Sequence, residues 1–124
     1  MKLVKSRREE REVPRGVLGG SEVSRETAGS SNIFMGRFRV PAGAESRPHY
    51  HAKAESVLYM LSGRLEIKHG DALKETVVVE PGDMLYVKPN ETHLLRNASE
   101  TEPAEYVVAR DSAMDDSVEV PWSG

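Results

Sequence analysis

The sequence predicts an all-β domain built as an antiparallel barrel with little helix, and three observations carry that prediction. Short apolar or alternating runs recur along the chain, and each is closed by a turn signal. Ten glycines and seven prolines punctuate the 124 residues. No long stretch repeats apolar residues at the three- and four-residue spacing of an amphipathic helix. The length suits one domain with a single modest core.

The elements follow in order. A strand over Ile33–Val40 ends at the turn Pro41-Ala42-Gly43, and Ser46–His51 forms the next. Val57–Leu61 ends at Ser62-Gly63, Leu65–Lys68 at His69-Gly70-Asp71, and Thr76–Val79 at Glu80-Pro81-Gly82-Asp83. Met84–Lys88 ends at Pro89-Asn90, and Thr92–Asn97 and Tyr106–Arg110 complete a set of about eight. No helix-length crossover separates these runs, so their pairing is expected to be mainly antiparallel. Val57–Leu61 is apolar at every position, which predicts a strand covered on both faces, by the core and by a partner subunit. Residues 1–30 carry only scattered apolar positions (Val13, Val17, Leu18, Val23) and read as an N-terminal arm available for pairing with a partner. Residues 31–112 form the barrel. Residues 113–124 read as an acidic tail whose Val118, Val120 and Trp122 can dock on its outside.

Composition narrows the function. Seventeen Lys and Arg against twenty Asp and Glu leave a net charge of -3, with no general attraction for nucleic acid or anionic lipid. The absence of cysteine excludes a disulfide scaffold, a thiolate metal site and a cysteine nucleophile. Met1–Glu12 has basic residues but no apolar segment behind them, unlike a secretory signal, and the longest apolar runs are far too short to span a bilayer. A cytoplasmic protein with neither a nucleic-acid nor a membrane partner is expected. There is no glycine-rich phosphate loop and no Gly-X-Ser-X-Gly elbow.

Three of the four histidines stand where a barrel metal site needs them. His49 and His51 are two apart, so on a strand both imidazoles point to one face and can chelate. Glu55 follows shortly after, and His93 begins a later strand. Imidazoles with a carboxylate suit a divalent first-row transition metal. His69, in the Lys68-His69-Gly70-Asp71 turn, reads as a turn residue.

Gly43, His49-Tyr50-His51, Glu55 and Gly63 resemble the first signature of the cupin superfamily, and Gly82, His93 and Asn97 resemble the second. The resemblance spans Gly43–Asn97. It implies a jelly-roll barrel in which His49, His51, Glu55 and His93 hold one divalent metal (Fe, Mn, Zn, Ni or Cu) beside a small-molecule ligand or substrate, and it implies a homodimer. It is compatible with oxygenase or isomerase chemistry, or alternatively with a non-catalytic ligand-binding or sensor module. Tyr59 is the candidate catalytic residue, as a phenol for proton transfer; Arg37, Arg39 and Arg47 are candidate cavity cations.

The sequence departs from the signatures in two places. Glu55 takes one family spacing from His51 while Gly63 takes the other, so Ser56 occupies the alternative ligand slot. A regular strand would place Ser56, Leu58 and Met60 on one face and turn Glu55 to the other, unless a bulge intervenes. In the second signature Lys88 and Asn90 replace the usual proline and glycine. Asn90 tolerates the left-handed conformation that the glycine would supply, and Lys88 reads as solvent-facing or as a cation at the barrel mouth. Asn97 either orients a ligand or closes a turn.

Overall fold

The computed structural model describes residues 1–6, 11–12, 17–114 and 116–121; Val13 and Trp122 lie outside the described residues. In chain order the strands are β1 (Arg11–Glu12), β2 (Leu18–Val23), β3 (Phe34–Val40), β4 (His49–His51), β5 (Ser56–Ser62), β6 (Leu65–His69), β7 (Glu75–Val79), β8 (Met84–Val87), β9 (His93–Arg96), β10 (Ala104–Arg110) and β11 (Ser117–Glu119). They form two antiparallel sheets, β1-β2-β3-β10-β5-β8 and β11-β4-β9-β6-β7. A single turn of helix, α1 (Arg25–Ala28), is held by a capping box between Ser24 and Thr27 and ends at a left-handed Gly29. Among the described residues, no helix is long and apolar enough to cross a membrane.

Each predicted strand is present with its ends shifted by up to three residues, β3, β4, β8 and β9 being shorter than expected and β5, β6, β7 and β10 longer, and the sheets run past both expected barrel limits. β2 pairs with β3 of the same chain, with a register irregularity between Gly19 and Glu22, and Val17 just before it is 1% exposed in the core. Its two glycines and lack of alternation hide this strand in the sequence. At the other end, β11 pairs with β4, so the tail supplies an edge strand next to the histidines.

The inward-facing residues alternate along their strands and meet between the sheets. Phe34 and Phe38 of β3, Leu58 and Met60 of β5, Leu65 and Ile67 of β6, and Tyr106 and Val108 of β10 make most of this core. Phe38 stacks on both Phe34 and Tyr106, with ring centroids 6.2 and 5.7 Å apart. Burying each large apolar side chain contributes roughly 1.5–3 kcal/mol. The outer face of β5 differs from expectation. Val57, Tyr59 and Leu61 are about two-fifths exposed, so within one chain this strand is covered on its inner face alone.

Two turns fix the strands that carry the site. Gly63, at φ +75°, joins β5 to β6 where a Cβ would collide with the Pro103 carbonyl and lie 2.8 Å from the Ala104 Cα, so no side chain fits. Asn90 takes the expected left-handed conformation at φ 63°, and its amide donates to the His51 carbonyl at 2.8 Å, tying the turn before β9 to the end of β4.

Candidate metal centre

Sheet geometry brings the histidines together. His49 and His51 sit on the same face of β4, and His49 pairs directly with His93 of the neighbouring β9. The three rings are 2–7% exposed, with centroids 4.5 Å (His49–His93), 5.5 Å (His49–His51) and 6.2 Å (His51–His93) apart. One ligand nitrogen from each ring lies within 4.8 Å of the other two.

Hydrogen bonding decides which nitrogen that is. Nδ1 of His49 lies 2.8 Å from the Arg47 carbonyl, and Nδ1 of His93 lies 2.8 Å from the Glu91 carbonyl. A carbonyl only accepts, so both Nδ1 atoms carry the proton and donate, which makes Nε2 the basic nitrogen of each neutral ring. His51 donates its Nδ1–H to Asp116 Oδ1 at 2.9 Å. Asp116 is anchored in turn, its Oδ2 accepting from the amides of Lys53 and Ala54 at 3.0 Å each. Burial works against its ionisation, yet the Lys53 amide, His51 and the Ala54 amide together hold the Asp116 carboxyl below its ordinary range. The carboxylate–histidine pair is the arrangement that fixes tautomer and ring orientation at metal-binding histidines.

The donor set therefore fits a divalent transition metal, since oriented neutral imidazoles with basic Nε2 atoms are what such an ion requires. His49, His51 and His93 are the residues that would hold it.

Glu55 is not brought to this cluster. The β5–β8 ladder runs regularly from Ser56↔Val87 to Tyr59↔Met84, so no bulge rotates Glu55 inward, and its exposed side chain accepts a 2.7 Å hydrogen bond from the Tyr86 hydroxyl. That bond holds the Tyr86 phenol above its usual value. Ser56 takes the inward place, 6% exposed. Tyr59 points outward, 40% exposed, and lines neither cavity described below. Lys88, Arg37 and Arg47 are exposed, Arg47 pairing with Glu119 at 2.8 Å, and Arg39 lies on the outer side of β3. Asn97 closes a turn: its amide donates to the carbonyls of Val40, Pro41 and Glu102 and its side-chain oxygen accepts from the Ser99 amide.

Two cavities that share part of their lining adjoin the histidines. The inner one, of about 40 Å³, is lined by His49, His51, His93, Ser56 and Arg110 among apolar side chains such as Leu58 and Leu95. An outer pocket of about 190 Å³ shares Ile67, Leu85, Val87 and His93 with it and adds His69, Val77, Tyr86 and Glu91. It opens between β7 and β8, the terminal strands of the two sheets. His69 is thus more than a turn residue. It pairs with His93 in the β6–β9 ladder, so its side chain leaves the sheet on the same face, toward the pocket. The sequence signal for this was the alternation Leu65, Ile67, His69. Asp116 and Arg110 gave no comparable signal.

A family model described as the cupin domain matches residues 36–110. The chain belongs to the cupin family. No curated protein sequence matches it. Among solved structures, a conserved protein with a double-stranded β-helix domain from Klebsiella pneumoniae shares 18% identity over 95% of this chain and 90% of that one, with a TM-score of 0.69. The polyketide cyclase RemF from Streptomyces resistomycificus shares 20% over 97% and 82%, with a TM-score of 0.72. Oxalate oxidase shares 23% over 87% of this cupin, which spans 57% of that chain, with a TM-score of 0.73. These likenesses establish the double-stranded antiparallel barrel.

Proposed function

We propose that this cupin holds one divalent transition metal on His49, His51 and His93 and acts on a small organic molecule beside it, by oxygenase or isomerase chemistry. The observation that carries the reading is the shared tautomer: all three Nδ1–H groups are committed to oxygen acceptors, so three basic Nε2 atoms belong to one buried cluster. The structural likeness to oxalate oxidase and to a polyketide cyclase, enzymes acting on small organic molecules, supports the class. When bound, the ion supplies Lewis-acid or redox chemistry. The protein orients the ligand nitrogens, keeps the inner cavity largely apolar, and places His69 at the outer pocket, where it is the imidazole beside His93 positioned to exchange a proton with a bound molecule. Glu55 and Tyr59, facing outward, do not serve that role.

Elemental analysis of the protein as isolated tests the reading, with about one metal ion per chain expected for the wild type and little for His93→Ala. Wild-type protein without metal that also fails to take up zinc or manganese overturns it. A second reading, a non-catalytic ligand-binding or sensor module, is favoured by the lack of an acidic ligand among the clustered residues. Metal identity separates the two, with iron, copper or manganese pointing to redox catalysis and zinc to Lewis-acid or binding duty. The exposed Val57, Tyr59, Leu61, Met84 and Tyr86 on the outer face of β5 and β8 support a homodimer through that face. A single-chain mass in light scattering at micromolar concentration would count against this assembly.

A further inference from the structure

The histidine cluster is tied to the surface by one short strand. β11 is the terminal strand of its sheet, and its register sets Ser117 opposite His51 and Glu119 opposite His49, so it lies directly against two of the three candidate ligands. It brings no apolar anchor. From Asp116 to Val120 no residue is buried, and Val118 and Glu119 are exposed. Hydrogen bonds hold the segment instead: beyond the β4 ladder, the Ala52 amide donates to the Asp116 carbonyl at 3.4 Å and the Val120 amide to the Pro48 carbonyl at 3.1 Å, with the surface Arg47–Glu119 pair beside them. Such bonds are exchanged for water at small net cost, so an edge strand of three residues opens locally far more easily than the barrel it rests on. The chain is held again at Ala113, which is 4% exposed and accepts from the Arg25 amide at 3.1 Å.

One contact of this segment reaches the cluster. Asp116 Oδ1 accepts from His51 Nδ1–H, while Oδ2 accepts from the Lys53 and Ala54 amides. When the segment lifts away, His51 loses the partner that orients it, whereas His49 and His93 keep the Arg47 and Glu91 carbonyls, which lie outside the segment. Losing such a partner weakens metal binding by about 10–100-fold. Linkage makes the effect reciprocal: a bound ion favours the docked segment over the lifted one by the same factor.

We propose that β11 is a metal-fastened strap: occupancy of the three-histidine site clamps residues 116–120 onto β4, and loss of the ion frees them and bares the β4 edge. An ion enclosed in the barrel is thereby reported at its surface. This rests on the metal-binding reading of the same site.

Residue-resolved hydrogen exchange of the full chain, metal-free and saturated with zinc, tests the proposal. Zinc is expected to slow exchange of the Lys53, Ala54 and Val120 amides by about tenfold or more, and to leave Gly29, whose amide bonds the Arg25 carbonyl within α1, unchanged within about twofold. His93→Ala removes a ligand on β9, which does not pair with β11, and should show no slowing when zinc is added. Asp116→Asn, saturated with zinc, should slow at Val120 by less than about threefold. Unchanged Val120 exchange in wild type that carries one zinc per chain, or full slowing in zinc-loaded Asp116→Asn, overturns the strap and leaves the metal reading standing. If Asp116→Asn fails to fold, the wild type and His93→Ala decide the matter in its place. A wild type that takes up no zinc overturns the metal reading itself.

Discussion

Asp116→Asn is the most informative substitution away from the metal ligands. The side chain keeps its shape and loses its charge, and with it the acceptor that pins His51 Nδ1–H at 2.9 Å. Asn Oδ1 accepts from the Lys53 and Ala54 amides or from His51, but not from all three as the carboxylate does, and its amide group turned toward His51 would oppose the Nδ1–H donor. His51 is then free to change tautomer or rotate, and losing such a partner costs about 10–100-fold in metal affinity, or roughly 1.4–2.8 kcal/mol. Competition with a chromophoric zinc chelator reads this directly. The control is Glu91→Gln: its backbone carbonyl, not its side chain, holds His93, so affinity should stay within about twofold. The acid limb of stability should change as well. The Asp116 carboxyl titrates below its unfolded value, so the stability it adds is present above about pH 4 and is lost as pH falls through the folded-state value. Thermal melts of the metal-free variant should therefore depend less on pH in the acid range. Asp116→Asn with wild-type zinc affinity and an unchanged acid limb would refute the claim that this carboxylate orients His51.

The remaining predictions are simpler. Glu55→Gln should keep zinc affinity within about threefold, since its side chain bonds Tyr86 on the outside, and should let the Tyr86 phenol fall toward its ordinary value in a spectrophotometric titration; a collapse in zinc uptake would place Glu55 among the ligands after all. Zinc should leave the wild type as pH drops below about 6, because each imidazole must be neutral to bind, and retention at pH 4 by dialysis and elemental analysis would contradict three-imidazole ligation. Gly63→Ala, forcing a Cβ against Pro103 and Ala104 at positive φ, should destabilise the chain by about 2 kcal/mol or more in urea melts, and a neutral result would mean that the β5–β6 turn relaxes freely.

The strands and the histidine set were legible because both depend on local rules. Period-two alternation puts His49 and His51 on one face whatever the rest of the chain does, and turn residues mark where each run stops. Glu55 shows the limit of signature spacing: two spacings compete at residues 55 and 56, and the regular β5 ladder favours Ser56. The missed β2 depends on an edge offered by β3, which no property of Leu18–Val23 announces.

By itself, the sequence determined that the barrel is antiparallel and that no thiolate can hold a metal in it, which leaves imidazole and carboxylate, because alternation and the absence of cysteine are properties of the residues alone. Tertiary structure decided which groups surround those imidazoles. Asp116 is 65 residues from His51, and Arg110 and Ser56 meet through strand pairing. Such contacts are set by sheet register and closure, which arise when the whole chain packs.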